Sequence, residues 1–266
     1  MSEPKTPDIW AIGNAYEPYV GRWSRLVAAT FLDWLAIPPD RRWLDVGCGT
    51  GVVTQTILQR ANPHRVVGID QSEGFITYAR HSAHDGRAMF RAGDAMDLHL
   101  ESASFDCVVS GLALNFMADQ DRALSEMRRV GRPGATVALY VWDYSGDMQM
   151  MRYFWDAVVA LNPGARALDE GTRFRDCQPD PLRKMFARAG LQAVAVEPIV
   201  VPTVFKNFTD YWSPFLGGQG PAPGYCVSLA EKDRNVLRER LRTSLPTAPD
   251  GSIPLKARAW AIKGTK

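Results

Sequence analysis

Cysteine and histidine are scarce in this 266-residue chain, four of each, and no two cysteines form a C-x-x-C pair. Cys48, Cys107, Cys177 and Cys226 are too dispersed for a zinc cluster or a dense disulfide framework, which fits a reducing, cytoplasmic setting. His81 and His84 stand near an expected helix end without a third ligand at suitable spacing, so no metal site is expected. An excess of one charge is also missing. Lys plus Arg number 31 and Asp plus Glu 29, a net charge of +2 that gives no overall field for nucleic acid or an anionic membrane. Long apolar runs are absent too: the greasiest, Thr136 to Trp142, is closed by Pro133-Gly134 and Asp143 within strand length, so no membrane span is expected. Met1 to Trp10, carrying Glu3, Pro4, Pro7 and Asp8, lacks the apolar stretch of a secretory signal. What the chain does have is 46% hydrophobic residues, enough to bury roughly 70–75% of its unfolded surface without a metal or disulfide.

Periodicity divides the first half into alternating strands and helices. Residues 43–46, 65–69, 88–92, 105–110 and 136–142 are short β-prone runs of the doubly buried type. Helix-period segments lie between them at 51–60, 73–83 and 119–130, and a further helix, 19–35, precedes the first strand. Such alternation implies parallel strands, right-handed crossovers and ligands at the carboxyl ends of the strands. After residue 142 the pattern changes to helices at 147–161 and 180–189, a strand-like 194–204, a helix at 229–241 and a strand at 253–262. Ser228 and Glu231 have the S-x-x-E spacing of a capping box for the 229–241 helix. Residues 217–224, GGQGPAPG, are expected to form a loop.

The most informative segment is Asp45-Val46-Gly47-Cys48-Gly49-Thr50-Gly51, which leaves a strand and opens a helix. Its glycines permit positive φ and close approach of a ligand to backbone, and the helix start offers free N–H groups. The dinucleotide pattern G-x-G-x-x-G needs glycine at position 52, which is Val52, and no G-K-[ST] follows for a triphosphate loop. After the second strand, Asp70 could accept both hydrogen bonds of a ribose diol or could cap the next helix, a task also open to Ser72. Asp94, after the third strand, could accept from an adenine amino group.

The segments WLDVGCGTG, VVGIDQS, RAGDAMDL, FDCVVSGLALNF and GRPGATVAL, in this order across residues 40–142, resemble class I S-adenosylmethionine-dependent methyltransferases. The similarity is to the small-molecule branch that includes ubiquinone and menaquinone biosynthesis enzymes. It implies an α/β fold: a Rossmann-like, doubly wound seven-stranded sheet, mostly parallel with an antiparallel last strand, plus helical lid insertions. It implies one methyltransferase domain over 1–266, with a helical cover at 1–40, a cofactor-binding core at 41–142 and substrate-lid insertions at 143–193 and 205–252. The cofactor implied is S-adenosyl-L-methionine. By the same resemblance Gly47, Cys48 and Gly49 pass under its methionine part, Asp70 holds the ribose and Asp94 with Ala95 contacts adenine, with Asp45, Gln71 and Met96 completing the expected cofactor-binding set. Ser110 and Gly111 follow the fourth strand, and Tyr16, Tyr19 and Arg22 fold over from the N-terminal side.

A sulfonium cofactor already carries its leaving group, so the protein must mainly align an acceptor and exclude water, and no catalytic base is assigned. The segment Ser110-Gly111-Leu112-Ala113 departs from the N/D-P-P-Y/F pattern of enzymes that methylate the amino groups of DNA or glutamine. A small-molecule acceptor is expected, with Asn115, Trp142, Tyr144 and Trp212 as candidate contacts. Residues 142–155 and 205–225 together hold 11 of the 27 aromatic residues, which either line an acceptor pocket or glue the insertions together. Arg234, Arg238 and Arg242, interleaved with acids, are expected on a solvated helix face. A non-catalytic S-adenosylmethionine-binding module and an NAD-linked oxidoreductase remain open as alternatives.

Overall fold

The computed structural model describes residues 21–218 and 220–266. Tyr16 and Tyr19, and the first residues of the expected 19–35 helix, lie outside these. The described elements run α1 (Arg22–Leu35), β1 (Arg42–Val46), α2 (Val52–Arg60), β2 (Arg65–Asp70), α3 (Glu73–Ser82), β3 (Ala88–Ala92), β4 (Phe105–Gly111), α4 (Gln120–Val130) and β5 (Gly131–Trp142). They continue through α5 (Gln149–Leu161), α6 (Glu170–Arg173), α7 (Pro179–Arg188), β6 (Gln192–Phe205), α8 (Phe208–Trp212), α9 (Pro221–Ser228), α10 (Glu231–Ser244) and β7 (Ile253–Thr265).

One seven-stranded sheet has the order β3-β2-β1-β4-β5-β7-β6. Strands β1 to β5 pair in parallel, and β7 lies antiparallel to β5, with Trp142 opposite Ala259. The order reverses at β1, flanked by β2 and β4, which makes the carboxyl end of β1 the switch point where an open α/β sheet leaves a crevice. The central strands read as unbroken apolar runs because both their faces are covered, and Leu44, Val108, Val109, Val137 and Leu139 are fully buried. Phe31 of α1 meets Tyr140 of β5 at 4.8 Å between rings, so α1 covers one face.

The chain forms two compact units. Among the described residues a sheet unit comprises 22–142, 176–200 and 259–266, and a mainly helical unit comprises 143–175 and 201–258 together with Gly21. In the helical unit the aromatic rings pack largely on one another. Phe154 stacks on Phe215 at 4.5 Å, Phe205 meets Tyr211 edge-on at 5.2 Å, and the Tyr211 hydroxyl donates to the Met150 carbonyl at 2.9 Å.

Two local expectations are corrected. Residues 221–224 are helical, as the start of α9, because prolines at 221 and 223 occupy the first turn, where no backbone N–H is needed for the helix ladder. The capping box is absent as well. Ser228 ends α9 and its hydroxyl donates to the Tyr225 carbonyl, so α10 starts two residues later at an Ala230 cap with no side-chain bond. Glu231 and Asp233 favour that helix start by charge instead. On α10, Arg242 lies 4.2 Å from the centre of the Phe208 ring and pairs with Glu239. No helix of the described residues is long and apolar enough to cross a membrane.

Candidate cofactor site

Five of the sequence-selected residues stand at the carboxyl ends of β1 and β2, where the chain must turn sharply into α2 and α3. Gly47 has φ +71°, and a Cβ there would fall 2.5 Å from the Cβ of Ala113, so only glycine lets the two loops approach. Gly49, at φ +52°, has nothing within 4 Å of where its Cβ would stand, leaving its backbone open to a ligand. The loop is pinned from beneath: the N–H groups of Gly47 and Cys48 both donate to the Ile69 carbonyl, at 2.7 and 3.0 Å. Cys48 turns its side chain away into a cluster with Ile76, Ala79 and Phe90, so it offers the loop's upper face backbone only. Burial pushes that thiol well above its ordinary range, with Asp45 and Asp70 adding to the shift.

Asp70 fastens the loop from the side. Its Oδ2 accepts from the Gly49 N–H at 2.9 Å and its Oδ1 from the Ser72 N–H at 2.9 Å. The cap of α3 is Ser72, whose hydroxyl accepts from the Phe75 N–H, so Asp70 is not consumed as a helix cap. Each carboxylate oxygen keeps a further lone pair, the arrangement a pair of vicinal hydroxyl donors needs. Burial raises the Asp70 pKa, while the bonds from Ser72 and Gly49 oppose the rise.

Asp45 is fully buried at the end of β1. Its Oδ2 accepts both the N–H and the hydroxyl of Thr54, at 3.0 and 2.7 Å. Burial pushes its pKa up to about 7, against the two Thr54 bonds and with Asp70 adding a smaller rise. The folded value lies above the unfolded one, near 3.9, so between these the native state binds more protons than the unfolded state. The contribution of Asp45 to stability is therefore full below about pH 4 and lost as pH rises towards 7. Asp45→Asn is expected to melt at increasing temperature relative to wild type as pH goes from 4 to 7.5, measured by thermal denaturation. A constant difference across that range would rule out this titration.

Among the buried polar atoms without hydrogen-bond partners in the described residues, three stand toward the carboxyl ends of sheet strands: Asp45 Oδ1, Ser110 Oγ and Trp142 Nε1, on β1, β4 and β5. Buried groups are nearly always paired, so Asp45 Oδ1 and Ser110 Oγ, on the adjacent strands β1 and β4 at the switch point, suit a site that completes its bonding with a ligand. Beside them Leu112 holds φ +59°, a left-handed conformation that costs a non-glycine residue about 1–2 kcal/mol. No sequence signal selected Leu112 or Thr54. Asn115 is buried in a short turn at Leu114–Phe116, two residues beyond Ala113.

The remaining candidates are more dispersed. Gln71 and Asp94 are exposed, Ala95, Met96 and Gly111 are half-buried, and Asp94 Oδ1 accepts from the Met96 N–H at 2.8 Å. Arg22 opens α1 with its guanidinium 4.5 Å over the Trp23 ring. In the helical unit, Tyr144 and Trp212 are both buried, Tyr144 against Phe174 at 5.0 Å and Trp212 between Phe208 and Phe215. A cavity of about 240 Å³ lined by Leu32, Asp33, Trp43 and Arg60 lies at the amino end of β1, away from the glycine loop. Among the described residues no group of three or more His, Cys, Asp or Glu could hold a metal ion.

Comparison with known proteins gives this geometry a family. Residues 44–139 match the model of the methyltransferase domain. A demethylmenaquinone methyltransferase of Roseiflexus sp. strain RS-1 is 38% identical over 105 residues, 39% of this chain and 44% of the relative. The biotin biosynthesis bifunctional protein BioHC of Cellvibrio japonicus is 33% identical over 254 residues, 90% of this chain and 47% of the relative. The chain thus spans about half the length of the curated relatives it matches. Phosphoethanolamine N-methyltransferase 2 of Haemonchus contortus, solved with S-adenosylhomocysteine, shares the fold at a TM-score of 0.58 and 15% identity, covering 95% of this chain and 56% of that one. Residues 44–139 are thus similar to the methyltransferase domain family.

Proposed function

We propose that the chain transfers a methyl group from S-adenosylmethionine to a small molecule with an apolar or aromatic part. The observation that carries the cofactor half is Asp70: a carboxylate at the end of β2, bound once at each oxygen by backbone and still able to accept two adjacent hydroxyls. Bound, the cofactor would supply an activated methyl group on a sulfonium. The protein's part is to cradle the methionine end on the backbone of Gly47 to Gly49, hold the ribose through Asp70 and Gln71, and seat adenine beside Asp94, Ala95 and Met96. Ser110 and Gly111 would border the transferable methyl, with Asn115, Trp142, Tyr144 and Trp212 on the acceptor side. Tyr16, Tyr19 and Arg22 would close over the cofactor. The whole chain would act as one methyltransferase domain in the cytoplasm. With a net charge of +2, a nucleic-acid acceptor is not favoured.

An apolar acceptor is supported by the relative named for demethylmenaquinone and by the concentration of aromatic residues in the two insertions. Many of those rings are satisfied by one another, so acceptor contact would fall to the few that retain polar capacity, Trp142 Nε1 among them. No residue is assigned as a base, since one is needed only where the acceptor must lose a proton before or during attack. The test is a transfer screen with methyl-labelled S-adenosylmethionine over quinones, phenols, amines and fatty acids. Turnover is expected on a member of the apolar or aromatic set. Tight binding of the cofactor with no transfer to any acceptor would favour a cofactor-binding module.

A further inference from the structure

We propose that Thr54 is a positioning residue for the cofactor: with Asp45 it clasps the two ends of the glycine loop and so sets where Gly47 and Gly49 stand beneath the ligand. The inference rests on the cofactor reading of that loop. Its geometry follows from a conflict at the start of α2. The N-cap is Gly51 at φ +87°, so the cap has no side chain with which to hold the first-turn N–H groups. Asp45, nine residues back on β1, supplies the missing acceptor through Oδ2, which takes the Thr54 N–H of that first turn. The Thr54 hydroxyl adds a second bond to the same oxygen, and both residues are wholly buried. Residues 46–53 are thereby tied at their ends, while the Ile69 carbonyl and Asp70 hold the middle. Loss of the Thr54 hydroxyl would leave the Thr54 N–H as the remaining bond from α2 to this carboxylate among the described residues, so the loop ends would be held less firmly against the strand.

The charged and titratable groups that act on Asp45 are Asp70, which disfavours its ionisation, and the Cys48 thiol, whose own ionisation Asp45 opposes. The Thr54 bonds work the other way, favouring the carboxylate. Deleting the hydroxyl must therefore shift Asp45 further towards its neutral form, in which the clasp is weaker.

The experiment is calorimetric binding of S-adenosylhomocysteine between pH 5.5 and 8.5 to the wild type, Thr54→Val and Thr54→Ser. This probe lacks the sulfonium charge, so its response is free of any attraction of the sulfonium to Asp45, and its α-ammonium is common to all the variants compared. Wild-type affinity is expected to fall as pH drops through about 7. Thr54→Val should bind about tenfold more weakly at pH 8, with the midpoint of its pH profile moved upward, and Thr54→Ser should restore both. A merely structural role would lower the melting temperature without moving that midpoint. Folded Thr54→Val binding within twofold of the wild type, with the same profile, would overturn the proposal. Should Thr54→Val not fold, Asp45→Asn decides: it should bind with no pH dependence in this range, and an unaltered wild-type profile would be the contrary result. Failure of the wild type to bind either S-adenosylhomocysteine or S-adenosylmethionine is a different outcome, and it overturns the cofactor reading itself.

Discussion

Asp70→Asn is expected to weaken S-adenosylmethionine binding about 100-fold, or about 2.7 kcal/mol, because this carboxylate has no oxygen to spare. Both oxygens already accept a backbone N–H, from Gly49 and from Ser72. An amide in the same place must point its NH₂ at one of these donors, so either the loop or the turn into α3 loses its partner while a ribose hydroxyl loses its acceptor. The two losses separate with a second ligand. Wild type should discriminate strongly between S-adenosylhomocysteine and its 2′-deoxy form, and Asp70→Asn should hardly discriminate at all. Equal discrimination by both proteins would mean that Asp70 fastens the loop and never touches the ribose. NAD should bind neither protein, since Val52, and not a glycine, opens α2.

The glycine loop and the five strands were legible in the sequence because their constraints are local, although β3, expected to be covered on both faces, is an edge strand with only Phe90 buried. A parallel strand buried on both faces has to be apolar throughout, as Leu44 and Val108 show, and a left-handed turn against a neighbouring loop has to be glycine, as Gly47 shows. Asp70 could be selected but not resolved, because a strand-end acid reads equally as a ligand or a cap. Only the Ser72 hydroxyl on the Phe75 N–H separates the two. The Asp45–Thr54 clasp was invisible, since a bond across nine residues depends on how the intervening turn closes. Leu112 was invisible for a related reason: leucine by type does not signal a positive φ, and its N–H bond to the Tyr140 carbonyl of the neighbouring strand is non-local. In the second half, the helix at 221–228 was missed because proline and glycine act as breakers inside a helix but are tolerated in its first turn. The substrate-side residues were the least legible, because aromatic rings fill a core and line a pocket with the same chemistry.

The helical unit depends on a different device, and its loss is expected to be the largest stability effect in the chain. Arg152 of α5 is mostly buried, its side chain 15% exposed against 12% for Asp169, and the guanidinium spans that carboxylate with Nη1 and Nη2 at 2.8 Å each. Nη1 also donates to the Tyr144 carbonyl at 2.9 Å, and Asp169 in turn caps α6 through the Gly171 N–H at 2.8 Å. Glycine suits position 171, since a Cβ there would fall 2.9 Å from the Tyr144 carbonyl oxygen and crowd the Arg152 guanidinium. One turn along α5, the Trp155 indole donates to the buried Glu170 carboxylate at 2.8 Å, so two successive acids are gripped from one helix face. Arg152→Met would leave Asp169 as a buried, uncompensated charge, and the expected loss is about 3–5 kcal/mol in urea denaturation. Arg152→Lys should recover little, because a single ammonium cannot bridge both oxygens and the Tyr144 carbonyl together. Adding Asp169→Asn to Arg152→Met should recover much of the loss, since the amide oxygen can still take the Gly171 N–H while the buried charge is gone. A loss below about 1 kcal/mol for Arg152→Met would place the pair among solvent-screened surface ion pairs, and the order of residues 144–171 would then rest on the aromatic packing alone.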